Sequence, residues 1–122
     1  MSRIEKDEVH EYRIYNEIVV DAHDYEERSM SWYYYLEEAL SAGFEALCYK
    51  EREISPLAVD DNVKVLGMAS MDECSHEMFA IIQWKKRELG VPLSQLRFLK
   101  GDEACQQAVE DWQYWVNRGY LF

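Results

Sequence analysis

The chain has 122 residues, of which 24 are Asp or Glu and 13 are Lys or Arg, giving a formal net charge of -11 at pH 7. A surface of this sign repels phosphate backbones and anionic bilayers, so nucleic acids and membranes are poor partners, whereas cations and basic proteins are favoured. The length and a hydrophobic content of 48% predict a single domain over residues 1–122, which we expect to be a monomer.

The first predicted elements are two helices. A weak helical period of apolar positions runs from residue 3 to about residue 20. The second helix is predicted over residues 24–41, because Asp24 can cap it and two acids follow in its first turn, where the helix dipole favours anions. Gly43 offers a C-terminal stop for this helix.

The middle of the chain predicts a sheet. Short apolar segments separated by polar turns indicate strands over residues 44–49, 63–68, 78–84 and 88–92. A single helical turn is predicted at residues 93–96, and a last helix runs from Asp102 to about Arg118, where Gly119 ends it. The predicted fold class is α+β, with helices at both ends packed on a small curled antiparallel sheet or an SH3-like partial barrel.

The candidate functional side chains in this sequence are mostly carboxylates. Calcium ions take six to eight oxygen ligands, mostly carboxylates, carbonyls and waters. The acids fall into three groups, which are Asp21, Asp24, Glu26 and Glu27; Glu37 and Glu38; and Asp72, Glu73 and Glu77 together with Asp60 and Asp61. The first two groups lie on the order of 15–20 Å apart along one helix, so they cannot share an ion. Each would need partners from a sheet loop.

The second group lies at the wrong end of its helix. Glu37 and Glu38 are near the C-terminus, where the helix dipole disfavours anions. A bound cation would relieve this conflict, and so would simple solvation. The ligand spacing of an EF-hand is absent from the sequence, so any calcium site must be assembled from separate segments.

Other site chemistries find little support. No nucleophile elbow, phosphate-binding glycine loop or zincin motif is present, so an enzyme is not indicated, and a magnesium-dependent hydrolase would lack a cationic clamp for its substrate. Cys74 and His76 have the spacing of a metal pair, but no second pair completes the site. The aromatic run at residues 32–35 is expected to be core and rim rather than a ligand-stacking surface.

The compartment is expected to be the cytoplasm. The three cysteines, Cys48, Cys74 and Cys105, are odd in number and widely spaced, which is typical of free thiols in a reducing environment. The charged N-terminal residues lack the apolar segment of a signal peptide, and no apolar run is long enough to span a bilayer.

Several tracts resemble the small acidic calcium-binding protein family that is best known from cyanobacteria. They occur in the same order over nearly the whole chain: Val19-Val20-Asp21-Ala22, Glu26-Glu27-Arg28, Met30, Trp32-Tyr33-Tyr34-Tyr35-Leu36-Glu37, Ser55-Pro56-Leu57, Val63-Lys64-Val65, Gly67-Met68-Ala69, Asp72-Glu73-Cys74, Glu77-Met78-Phe79, Val91-Pro92-Leu93-Ser94-Gln95-Leu96 and Asp111-Trp112-Gln113-Tyr114-Trp115.

The resemblance implies a cytoplasmic protein of non-EF-hand type that buffers or senses calcium. In cyanobacteria the family is linked to calcium regulation during differentiation of nitrogen-fixing cells. By the match, Glu37 and Glu38 are the best candidate ligands. This chain departs from the family in two places, since the family has Asp at the position of Glu38 and a Phe-Pro-Phe-like turn where this chain has Ser41-Ala42-Gly43-Phe44. Both lie beside the proposed site, where ligand length and loop rigidity tune affinity.

The leading hypothesis is therefore reversible calcium binding through clustered carboxylates, with no catalysis. The candidate metal ligands are Glu37, Glu38, Asp72, Glu73, Glu77 and Asp24. The alternative is an acidic protein–protein interaction module that binds a basic partner without metal.

Overall fold

Helices flank a central sheet. The computed structural model describes residues 6–20 and 22–120, so the predicted helical residues 3–5 and Asp21 lie outside the described residues. The elements are α1 (Glu8–Arg13), a π-helical turn (Ile14–Ile18), α2 (Tyr25–Ala39), β1 (Phe44–Cys48), β2 (Asn62–Met68), a 3₁₀ helix (Met71–Cys74), β3 (Phe79–Trp84), β4 (Arg87–Pro92), a second 3₁₀ helix (Leu93–Gln95), β5 (Leu96–Lys100) and α3 (Glu103–Asn117). The predicted α+β class is confirmed.

The sheet is antiparallel, with strand order β4-β3-β2-β1-β5. β1 to β4 form a meander, and the second 3₁₀ helix then carries the chain across to β5, which pairs with β1. The register shifts between Glu45 and Ala46 and between Val65 and Gly67. Such bulges increase the twist of a sheet. The sheet is curled as predicted, but it is not closed into a barrel, and β4 and β5 form its edges.

One strand was not predicted. β5 alternates apolar and polar residues only over Leu96-Arg97-Phe98 before the adjacent Leu99 breaks the pattern, which is too short a run to indicate a strand. It forms because the outer edge of β1 leaves backbone groups that need partners. The free edge of β5 is partly covered, since the side chain amide of Gln113 in α3 donates a hydrogen bond to the carbonyl of Leu96.

The core lies between the sheet and the two long helices. In β1 the side chains of Phe44, Ala46 and Cys48 alternate into the interior. Trp32 of α2 is fully buried and contacts the rings of Trp112 and Trp115 of α3, with ring centroids 5.1 and 5.6 Å apart. The expectation that the aromatic run of α2 is core and rim is thus confirmed. No helix in the described part of the chain is long and apolar enough to cross a membrane.

The turn that ends α2 depends on a glycine. Gly43 has a φ of 77°, a left-handed conformation that side-chain-bearing residues rarely adopt. A Cβ at this position would also lie 2.8 Å from the carbonyl oxygen of Val65. Glycine therefore lets the chain turn sharply from α2 into β1 and pack closely on β2.

A buried carboxylate holds the N-terminal helix in place. Asp111 of α3 has no exposed surface. It accepts hydrogen bonds from Arg13 Nε and Nη2 at 2.7 and 2.6 Å and from the Tyr35 hydroxyl at 3.1 Å, and His10 Nδ1 lies 2.7 Å away. The hydrogen bonds to Asp111 raise the pKa of Arg13. This network joins α1, α2 and α3 at one point.

We expect Asp111→Asn to destabilise the protein by roughly 3 kcal/mol, because it leaves the Arg13 guanidinium without its counter-charge in a largely buried position. Urea unfolding followed by circular dichroism measures this change. The exposed neighbour Glu110 provides the control, since Glu110→Gln removes one negative charge without touching the network. Equal midpoints for the two variants would contradict the assigned role.

Candidate metal centre

The C-terminal end of α2 and the start of α3 border one cavity. The cavity has a volume of about 420 Å³ and is lined by Tyr35, Glu38, Ala39, Ser41, Ala42, Asp102 and Ala104. A water molecule occupies about 30 Å³ of liquid, so there is room for an ion with several waters. Glu38 and Asp102, from distant parts of the sequence, thus line the same opening.

The two helices are antiparallel at this point, which explains the meeting. Trp32 lies against Trp112, Tyr35 bonds to Asp111, and Glu38 shares a cavity with Asp102, so the numbering rises along α2 as it falls along α3. The negative end of the α2 dipole thus lies beside the positive end of the α3 dipole. These fields offset each other, so the attraction for a cation at this opening comes mainly from the carboxylates.

Asp102 also has a structural role. Its Oδ1 accepts a hydrogen bond from the backbone N–H of Cys105 at 2.8 Å, which makes Asp102 the N-cap of α3. Across the cavity, the Ser41 hydroxyl donates to the backbone carbonyl of Glu38 at 2.9 Å and fixes the last turn of α2. Carboxylate, hydroxyl and carbonyl oxygens are therefore the donors available here, and hard cations such as calcium prefer this donor set.

Glu37 lies on another side of the helix. Burial, followed by the charge of Glu37, raises the pKa of Tyr33 to about 12. The Tyr33 hydroxyl donates to the carbonyl of Ala69 at 2.8 Å, just before the 3₁₀ helix that carries Asp72 and Glu73. Glu37, about 100° around the helix from Glu38, thus acts on a ring that reaches towards that 3₁₀ helix.

The other candidate ligands are dispersed. Asp72 and Glu73 are exposed, and the Glu73 carboxylate lies beside Gly90 of β4. Asp24 caps α2, accepting from the N–H of Glu27 at 2.8 Å. The six residues therefore do not converge on one point.

Glu77 is already paired. Its two oxygens accept hydrogen bonds from the Arg52 guanidinium at 2.8 and 3.0 Å, and the Ser94 hydroxyl donates to it at 3.1 Å. This bidentate pair fastens the long loop between β1 and β2 to the start of β3. A cation could use Glu77 only by displacing Arg52.

Within residues 6–20 and 22–120, no three His, Cys, Asp or Glu side chains lie together so as to hold a metal ion. The donors at the Glu38 opening have the right chemistry but supply only two carboxylates. Calcium bound there would take its remaining ligands from backbone carbonyls and waters, as it commonly does.

The buried cysteine thiols do not favour a site for a softer metal ion. Burial raises the pKa of Cys74, and burial together with the charge of Asp102 raises the pKa of Cys105 to about 12. Metal ligation requires thiolates, so these groups are poor ligands at neutral pH. His76, the partner suggested by the sequence spacing, lies 3.2 Å from the Tyr25 hydroxyl.

The sequence prediction missed Asp102. Its spacing from Glu38 carries no pattern, because the two meet only through the packing of α2 on α3. The one signal was its place as the first residue of a predicted helix, which gives no hint of a ligand.

Comparisons with known proteins agree with the predicted resemblance. A family model described as calcium binding, of the CcbP type, matches residues 12–116. Two solved structures are similar to this chain over the full length of both proteins: Anabaena CcbP, with 39% identity and a TM-score of 0.85, and a calcium-binding protein in the calcium-binding form, with 38% identity and a TM-score of 0.83. No curated protein sequence matches. Because the family match spans most of the chain, this protein belongs to the CcbP calcium-binding family.

Proposed function

We propose that this protein binds calcium ions reversibly in the cytoplasm, as a monomeric buffer or sensor without catalytic activity. The observation that carries the proposal is the full-length similarity to a structure in the calcium-binding form, at 38% identity and a TM-score of 0.83. The family assignment over residues 12–116 supports it independently of the fold. The three cysteines are buried free thiols, which fits a reducing compartment.

The proposed ligands of the primary site are the carboxylates of Glu38 and Asp102. They line one cavity, they supply hard oxygen donors, and Ser41 beside them orders the end of α2. Glu37, with Asp72 and Glu73 on the neighbouring 3₁₀ helix, forms a weaker acidic surface that draws calcium towards the same end of α2 by its charge.

The similarity in fold bears on the choice between buffer and sensor. This chain shares its fold with a protein in its calcium-binding form over its whole length, which favours calcium binding without a change of fold. A sensor would then act through a local change of shape or of surface charge. The alternative of an acidic interaction module without metal remains a separate proposal, and exposed apolar residues on α2 favour it.

Calcium titration by calorimetry on chelator-stripped protein, with magnesium in excess, tests the site. We expect Glu38→Gln and Asp102→Asn each to weaken calcium binding by about tenfold or more, because affinity follows the charge of the ligand set. Asn caps helices as well as Asp, so Asp102→Asn removes a charge while keeping the start of α3.

Glu27→Gln is the matched control for these two variants. It changes the same residue type on the same helix, about 16 Å from Glu38 at 1.5 Å per residue. We expect its calcium affinity to stay within about twofold of the parent, since only long-range charge is lost. No saturable heat in the parent protein would overturn calcium binding, and equal loss in all three variants would overturn the assigned site.

Calcium is expected to raise the melting temperature. Packing uncompensated carboxylates together costs free energy, and an ion that binds only the folded state stabilises it by about 2.7 kcal/mol at roughly 100 times its dissociation constant. Thermal melts followed by circular dichroism, with calcium or with chelator, measure this shift. A melting temperature that stays constant up to millimolar calcium would contradict the proposal.

The variant Glu77→Gln tests whether Glu77 has a structural role or is a calcium ligand. We expect it to lower stability by about 1 kcal/mol, because it breaks a half-exposed ion pair with Arg52. Its calcium affinity should equal that of the parent protein, since its carboxylate is already occupied. A loss of calcium binding comparable to that of Glu38→Gln would place Glu77 in the site.

A further inference from the structure

The outward face of α2 combines apolar and acidic side chains. Met30 and Tyr34 are 41% and 52% exposed, and their spacing of four residues places them side by side on the helix. Glu26 and Glu27 precede them and Glu37 and Glu38 follow, and all four glutamates are exposed. At 3.6 residues per turn these six side chains fall within a sector of roughly 120°. We call this set the α2 face.

The α2 face differs from ordinary exposed surface. Single apolar residues on a protein surface need no explanation, but here two large ones adjoin each other on a helix that has a fully buried face as well. The acids are placed in pairs, one at each end of the apolar centre. Methionine is unbranched and adapts to irregular partners, which suits a contact surface.

We propose that the α2 face docks a basic amphipathic helical segment of another protein, lying lengthwise along α2. The charge pattern selects this occupant, since lysine or arginine pairs at its ends would meet the glutamates while an apolar middle covers Met30 and Tyr34. Glu27 and Glu38 are about 16 Å apart, so the segment spans about three helical turns. The net charge of -11 steers such a segment to this protein from a distance.

Calcium and the partner compete at the end of the α2 face. This step rests on the proposed function, because Glu38 belongs both to the face and to the proposed calcium site. A bound calcium ion cancels negative charge that the basic segment needs. By linkage, calcium then weakens docking, and docking weakens calcium binding by the same factor.

A fluorescein-labelled synthetic peptide of lysine and leucine, patterned as a basic amphipathic helix of about four turns, is the probe. Its binding is followed by fluorescence anisotropy in chelator and in saturating calcium. The double variant Met30→Ser/Tyr34→Ser removes the apolar centre and leaves every charge in place. The control is Val9→Ser/Tyr12→Ser, which removes an apolar pair from α1 that is even more exposed.

In chelator we expect the Met30→Ser/Tyr34→Ser protein to bind the peptide about tenfold more weakly than the parent, and the α1 control to bind within about twofold of it. A scrambled peptide of the same composition should not distinguish the proteins, because it binds by charge alone. Circular dichroism melts verify that each variant is folded. Equal affinity of the patterned peptide for the parent and the α2 variant would overturn the docking surface.

Calcium should weaken binding of the patterned peptide to the parent by about threefold or more and should have no such effect on Glu38→Gln. If calorimetry detects calcium binding but calcium does not change the peptide affinity, the proposed competition is wrong while calcium binding stands. If calorimetry detects no calcium, the proposed function fails, and the comparison in chelator still decides whether the α2 face docks the peptide.

Discussion

The packing of Trp32 against Trp112 and Trp115 sets the positions of the two long helices. This contact holds α2 antiparallel to α3 and brings the end of one helix near the start of the other, where Glu38 and Asp102 line one cavity. The site is therefore a consequence of an aromatic core contact about two helical turns away from it. The interior of a protein is close-packed, so a change at Trp32 would reach the opening as a displacement of α2.

Some carboxylates have structural roles in the fold, and only the others are available to bind a cation. Asp111 is buried and neutralised by Arg13, Glu77 is paired with Arg52, and Asp24 is committed as a cap. Glu37 and Glu38, at the outward end of α2, are among the acids that have no basic partner in the described contacts. Net charge alone thus overstates how many acids are available to bind a metal ion. The ion pairs identify the acids that already have a basic side chain as partner.

Much of the fold could be predicted from local sequence signals. The cap Asp24 and the stop at Gly119 marked helix ends, because each of these signals acts through its own backbone neighbours. β5 could not be predicted in this way, since its strand conformation depends on pairing with β1 from a distant part of the chain.

The site was harder to predict for the same reason. Glu38 was identified from its unfavourable place at the end of a helix and from the family resemblance, and the structure places it at a cavity. Asp102 was read only as the first residue of the last helix, although it lines the cavity of Glu38. Arg52, which pairs with Glu77, lies in a loop whose sequence shows no pattern. A carboxylate can be recognised in a sequence, but its partner is determined by tertiary packing.

The replacement at position 38 shows how the site and the α2 face constrain each other. Glutamate is one methylene longer than the aspartate expected from the family resemblance, so its carboxylate reaches further from the helix and would hold the proposed ion with more conformational freedom. The longer side chain also carries its charge further towards the outward surface of α2, where Met30 and Tyr34 lie. In the two roles that we propose for Glu38, the longer reach serves the basic segment and the lower rigidity weakens the hold on the cation. We therefore expect the longer side chain of Glu38 to weaken calcium binding and, at the same time, to strengthen the effect of bound calcium on the α2 face.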